Sequence, residues 1–211
     1  AVDTILRLDW SQMRVPPDMM TANMGGLVTA VTELPGPRLV MMLDVEKVLS
    51  ETTRYDDDLM FKGIEPIKCE EPVTVYFADD SSVARKQIER TLDTLGVRYV
   101  GSVNGRAAWD ELQKLAHYAE SAGRKVKDLL QMVLTDVEMP EMDGYILTKK
   151  IKSDPRFEGV PVVMHSSLSG MSNQQLGRSV GVDEYVPKFE PQRLAEVLRR
   201  LVDRCQSARA A

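Results

Sequence analysis

Two cysteines, Cys69 and Cys205, are all that this chain of 211 residues contains. They stand too far apart in sequence to read as a disulfide framework or a cysteine metal site. Such sparse use of cysteine fits a reducing cytoplasm. No apolar run approaches the roughly 20 residues that a membrane-spanning helix needs, so direct membrane insertion is not expected. No signal peptide is recognisable either. Basic residues are not in excess. The formal net charge is −5, which argues against nonspecific nucleic-acid binding through a cationic face. What is present is ordinary for a soluble globular protein, with 43% hydrophobic and 28% charged residues. The length allows one large domain, or one domain and a piece of another. The chain opens on Ala1 rather than Met, and an N-terminal truncation is expected.

Two textures divide the chain. Residues 1–50 carry short β-like runs: Ile5-Leu6-Arg7-Leu8, then Leu27 to Leu34, then Arg38 to Leu43. The last two flank Pro35-Gly36-Pro37, a strong turn signal, and predict an antiparallel hairpin. Asp44 is placed to cap a short helix over Val45-Glu46-Lys47-Val48-Leu49. Three strands in 50 residues bury little core alone, so this stretch reads as the end of a larger β domain. Residues 51–71 read as a polar linker, with Leu59-Met60-Phe61 available to pack on a neighbour.

From residue 73 the pattern becomes regular. Apolar strands are expected at 73–78, 98–102, 132–135, 160–164 and 184–186. Helical stripes alternate with them: Ala84, Ile88, Leu92 and Leu95; Ala108, Leu112, Leu115 and Ala119; Leu147 and Ile151; a weak helix at 171–179; and Leu194, Val197, Leu198, Leu201 and Val202. Ser81 or Ser82 caps the first helix and Gly96 ends it. Five strands alternating with five helices predict an α/β fold, a parallel sheet covered on both faces with right-handed crossovers. Residues 204–211 read as a frayed tail.

In such sheets functional groups gather at the carboxyl ends of the strands, near the point where strand order reverses. The first strand of this region runs into Asp79-Asp80, the third into Asp136, the fourth into His165-Ser166-Ser167 and the fifth into Lys188. Clustered carboxylates repel one another unless a cation joins them. Mg²⁺ suits such a set, because it takes a few carboxylates together with waters and phosphate oxygens. Lys188 and Ser166 then suit the oxygens of an incoming phosphoryl group, and a carboxylate can act as the nucleophile.

Taken singly, each residue has a plain structural explanation. An Asp after a strand is a common turn or cap residue, and Asp79-Asp80-Ser81-Ser82 is a respectable helix cap. Asp143-Gly144 is an ordinary turn dipeptide. Ser166 could be a strand-end hydroxyl, Lys188 a solvated lysine and His165 a structural strand residue. Met139, Met142 and Met164 read as packing residues. Joint placement at four strand ends, in order, favours chemistry.

Those residues also carry a resemblance. Phe77-Ala78-Asp79-Asp80-Ser81 and Leu134-Thr135-Asp136-Val137-Glu138-Met139-Pro140-Glu141-Met142-Asp143-Gly144 resemble the two signature stretches of two-component response-regulator receivers. The likeness spans residues 72–203. It implies a flavodoxin-like sheet of order 2-1-3-4-5 with Asp136 as phosphoacceptor. Asp79, Asp80, Asp136 and the backbone carbonyl of Glu138 would hold Mg²⁺. Ser166 and Lys188 would bind the phosphoryl group, and Tyr185 would be the switch aromatic. Two features depart from the family pattern. Receivers usually place proline, often in a cis bond, directly after the lysine, whereas Phe189 follows Lys188 and Pro187 precedes it; a cis bond to Phe189 would be costly. The stretch 117–131 is also long.

Residues 1–50 resemble the C-terminal part of a CheW-like coupling domain. The likeness rests on Val2-Asp3-Thr4-Ile5-Leu6-Arg7-Leu8, Val15-Pro16-Pro17 and the run from Arg38 to Leu49. A CheW-like domain followed by a receiver resembles the CheV family of chemotaxis scaffolds. That resemblance implies docking to methyl-accepting chemoreceptors and to the histidine kinase CheA, which would donate the phosphoryl group. It implies a place in the cytoplasm at receptor arrays, and no enzymatic role beyond the chain's own phosphorylation and dephosphorylation. Three other readings remain: a receiver controlling transcription, a receiver that is never phosphorylated, and a haloacid-dehalogenase-like phosphatase. The last needs an Asp-x-Asp pair on the first strand, where this chain has adjacent acids.

Overall fold

A computed structural model describes residues 7, 9–24, 27–34, 36, 38–45, 48, 57–69, 71–167 and 171–210. The chain forms two compact units, 1–56 and 57–211.

In the first unit, strand β1 (Val28–Leu34) pairs antiparallel with β2 (Arg38–Leu43). The hairpin is the one that the turn signal predicts. Gly36 takes φ +77° between the strands, a conformation that costs glycine little. On the other edge of β1, Arg14 exchanges two backbone hydrogen bonds with Val31, at 2.8 and 2.9 Å. A helix, α1 (Asp18–Asn23), precedes the hairpin. β1 buries Val28, Val31 and Thr32, while Leu39, Met41, Met42 and Leu43 of β2 are exposed. The expected strand Ile5–Leu8 and the stretch Val2–Leu8 lie outside the described residues, apart from Arg7. The expected helix Val45–Leu49 lies outside them apart from Val45 and Val48.

The second unit is built on a five-stranded parallel sheet: β3 (Thr74–Ala78), β4 (Arg98–Ser102), β5 (Met132–Thr135), β6 (Val162–Ser166) and β7 (Glu184–Pro187), in spatial order β4-β3-β5-β6-β7. Counted from β3, this is the predicted order 2-1-3-4-5. Alternation along the strands divides the core. Val75, Phe77, Met132, Leu134, Val163 and Val186 face helices α3 (Ser82–Leu95) and α8 (Pro191–Ala210). Tyr76, Ala78, Val133 and Val162 face α4 (Gly105–Ser121) and α6 (Gly144–Ser153). Because both faces are covered, the central strands β5 and β6 are buried along their whole length. The remaining long helix, α7 (Met171–Val180), precedes β7.

Local signals act where expected. The Ser81 hydroxyl accepts from the Ala84 amide at 3.3 Å, and Gly96 closes α3 at φ +70°. Some elements were not foreseen. The long stretch after α4 folds into a one-turn helix, α5 (Val126–Leu129), that buries Val126 and Leu130. A 3₁₀ turn, Pro155–Phe157, buries Phe157. Helix α8 continues to Ala210 rather than stopping near residue 203.

Residues 57–69, read from sequence within a polar linker, dock on the sheet's α3–α8 face. A short helix, α2 (Asp57–Met60), leads into Phe61, which is 8% exposed beneath the Arg90 guanidinium, 4.3 Å from its ring centre. Ile64, Ile67 and Cys69 pack against the core. The Ile67 amide donates to the Leu95 carbonyl at 2.9 Å. Gln192 and Arg199 of α8 donate to the carbonyls of Lys62 and Glu65 at 3.2 and 2.6 Å.

Candidate functional site

Parallel strands bring their carboxyl ends to one edge. The chain moves from β3 outward to β4 and then back past β3 to β5. The reversal leaves a crevice at the ends of β3 and β5, and Asp79 and Asp136 are the residues that follow those two strands. Asp79 and Asp136 are 0% and 5% exposed; Asp80, the next residue, faces solvent. Carboxylate oxygens of all three lie within 4.8 Å of one another.

Lys188 enters from the end of β7 and is buried between two of the acids. Its Nζ lies 3.1 Å from Asp79 Oδ2 and 3.0 Å from Asp136 Oδ2. The other oxygen of each acid accepts a backbone amide: Ser81 N donates to Asp79 Oδ1 at 2.9 Å, and Val137 N to Asp136 Oδ1 at 2.7 Å. Among the described residues, Lys188 and, on the carbonyls of the acidic turn, Arg85 face three carboxylates, so negative charge is in excess. Burial pushes the Asp79 carboxyl up from 3.8 to about 7; Lys188 opposes the rise and Asp136 adds to it. The donor set is oxygen throughout and under-compensated, and it opens to water at Asp80. That chemistry fits a hard divalent cation.

Ser166 is buried at the end of β6, where its carbonyl accepts the Lys188 amide at 3.1 Å. The half-buried Tyr185 side chain on β7 hydrogen-bonds the Ser166 side chain; burial is the main reason its phenol titrates above 10. The structure therefore brings Asp79, Asp80, Asp136, Ser166, Tyr185 and Lys188 to one edge. Glu138 sits exposed two residues beyond Asp136, and its negative charge is felt at Tyr185. Leu168, two residues beyond Ser166, lies outside the described residues.

The loop after Asp136 is folded tightly back on it. Gly144 N donates to the Val137 carbonyl at 2.9 Å. A Cβ at Gly144 would collide with the Asp136 carbonyl oxygen, so only glycine permits this approach. Asp143 caps α6 by accepting from Ile146 N at 2.7 Å. Asn104 holds the loop from the start of α4, its Nδ2 donating to Glu141 Oε1 at 3.0 Å. Arg85 of α3 was not singled out from sequence. Its Nη1 donates to the Asp79 and Asp80 carbonyls at 3.0 and 2.8 Å and fixes the acidic turn. An arginine one turn into a helix carries no motif that would announce this.

The geometry agrees with the comparisons to known proteins. Residues 75–199, more than half of the chain, match the response regulator receiver domain family. The chain belongs to that family. Over nearly its whole length it is similar to CheV-type proteins, as the motifs suggested. It is 33% identical over 202 residues to chemotaxis protein CheV2 of Helicobacter pylori, covering 94% of this chain and 61% of that protein. It thus spans about three-fifths of the length of that relative. The receiver part alone is 37% identical to chemotaxis protein CheY1 of the same organism, over 122 residues that make up 57% of this chain and 89% of CheY1. The fold is shared with chemotaxis protein CheY4 of Vibrio cholerae, at a TM-score of 0.53 and 24% identity, over 62% of this chain and 99% of that one. Among the described residues no helix is long and apolar enough to cross a membrane.

Proposed function

We propose that the chain is a chemotaxis scaffold of the CheV type whose receiver takes a phosphoryl group on Asp136. The arrangement of Asp136 carries the reading. One carboxylate oxygen is held by the Val137 amide and the other by Lys188 Nζ, with Asp79 and Asp80 beside it. An Asp136 oxygen attacks phosphorus; the bond from phosphorus to the donor's imidazole nitrogen, or to acetate oxygen in a small donor, breaks as the new one forms. Lys188 then pairs with phosphoryl oxygens rather than with both acids, and Ser166 offers its hydroxyl. The residues fit Mg²⁺ through the carboxylates of Asp79, Asp80 and Asp136 and the backbone carbonyl of Glu138. When bound, the ion offsets charge on the acids and the transferring group. Tyr185, already bonded to Ser166, reports occupancy to the surface around β7.

The donor in this reading is the histidine kinase CheA. The first unit is the end of a CheW-like domain through which the protein meets CheA and methyl-accepting chemoreceptors in cytoplasmic arrays. The hairpin and the likeness to CheV2 support this. The chain acts as phosphoacceptor and scaffold rather than as an enzyme on other substrates. With Mg²⁺ and phospho-CheA or acetyl phosphate, it should form a base-labile acyl phosphate, and Asp136→Asn should form none. Full labelling of that variant would sink the assignment. Failure of the full-length protein to capture CheA or a receptor cytoplasmic domain would remove the chemotaxis part alone.

A further inference from the structure

The turn that delivers Lys188 to the pocket is three residues long. It is bracketed by Pro187, which ends β7, and Pro191, which begins α8. Both ends are fixed. The Lys188 amide donates to the Ser166 carbonyl at 3.1 Å, and the Leu194 amide to the Glu190 carbonyl at 3.0 Å. Glu190 precedes a proline, which disfavours the helical region for it. With Glu190 so restricted, the chain reverses over Lys188 and Phe189. It does so with φ +64° at Phe189, across a trans bond from Lys188; no cis bond occurs among the described residues. A left-handed conformation is uncommon for a bulky residue. It persists where the surroundings over-determine it, typically beside a functional group. Here the neighbour is the buried ammonium held at 3.0–3.1 Å from two carboxylates.

We propose that Phe189 is a positioning residue for phosphoryl transfer: its left-handed backbone, locked between two prolines, aims Lys188 at Asp79 and Asp136. The inference rests on Asp136 being the phosphoacceptor. A lysine aimed by a stiff turn meets the transferring oxygens without a search, and small misplacements of such groups slow reactions steeply. The half-buried Phe189 ring contributes packing, but the aim comes from the backbone.

Two variants separate these parts. Phe189→Asn loses the ring and keeps a residue that tolerates the left-handed region, whereas Phe189→Gly loses the ring and frees the backbone. The full chain is phosphorylated with acetyl phosphate and Mg²⁺, and Mg²⁺ affinity is measured by calorimetry. The Asn variant is expected within about twofold of the natural protein in rate, and the Gly variant about three- to tenfold slower. Mg²⁺ affinity should not fall in either, because the acids hold the ion and a loosened ammonium only competes with it less. Equal rates for Gly and Asn, or a loss of Mg²⁺ affinity that tracks the loss of rate, would overturn the proposal. No phosphorylation of the natural chain on Asp136 would instead overturn the reading on which it rests.

Discussion

Replacing Asp79 by Asn should stabilise the metal-free protein at neutral and alkaline pH. Asp79 is buried with two acids beside it and one lysine, and its carboxyl titrates at about 7 instead of 3.8. The folded state therefore holds a proton that the unfolded state releases. The associated stability is full below about pH 3.8, falls as pH rises through the window, and is gone above about pH 7. A rise from 3.8 to about 7 corresponds to about 4 kcal/mol at 1.36 kcal/mol per unit. Asparagine keeps the shape and removes the charge, but Lys188 loses one of its two partners. A net gain of about 2 kcal/mol is expected, which is a rise in melting temperature of roughly 6 °C for a unit of this size. Thermal melts at about pH 8 and about pH 5, with and without Mg²⁺, read the effect. The gain should shrink toward the acid side, where Asp79 is already mostly protonated. Mg²⁺ should stabilise the natural protein and leave the variant nearly unmoved. A variant less stable than the natural protein at alkaline pH without metal would refute the electrostatic account, as would a gain that is the same at both pH values.

Two further substitutions probe the frame of the site. Gly144→Ala drives a methyl group into the Asp136 carbonyl; it should cost about 2–4 kcal/mol in urea melts, with phosphorylation by acetyl phosphate reduced as the loop is forced outward. Phe61→Ala lies outside the matched receiver region yet should destabilise the second unit by about 2–3 kcal/mol, since Phe61 is buried under Arg90. Chemical denaturation of residues 57–211 would measure it, and an unchanged midpoint would show that the segment's docking contributes nothing.

The sheet and the pocket were legible because parallel alternation constrains them together. Once five apolar strands are placed, Asp79, Asp136, Ser166 and Lys188 must share one edge, whatever the loops do. Other features left little trace that pattern reading detects. The one-turn helix Val126–Leu129 is too short to show a period. In the segment 57–69 the apolar run Leu59-Met60-Phe61 was legible as a packing group, and Phe61 is buried, but Gly63 and Pro66 deny Ile64 and Ile67 a regular helix, so their docking was not. The last turns of α8 lack an apolar stripe, but their Ala, Arg and Gln residues favour helix on their own account. The left-handed Phe189 was invisible for a different reason. Residues that tolerate positive φ announce themselves, and phenylalanine does not. Its oddity could be sensed only as the proline absent after Lys188, and its conformation emerged from the geometry of the turn.

The docking of residues 57–69 bears on how receivers of this kind can be cut and exchanged. The family pattern begins at residue 75, and a graft designed from that pattern would join its new partner near Pro72. Such a cut discards the residues that seat against Leu95, Arg90, Gln192 and Arg199 and leaves oily surface where a smooth flank should be. Chimaeras spliced upstream of Asp57 would carry that flank with them. Those spliced at Pro72 would inherit a sticky seam, and a poor yield from them would say nothing about the chemistry at Asp136.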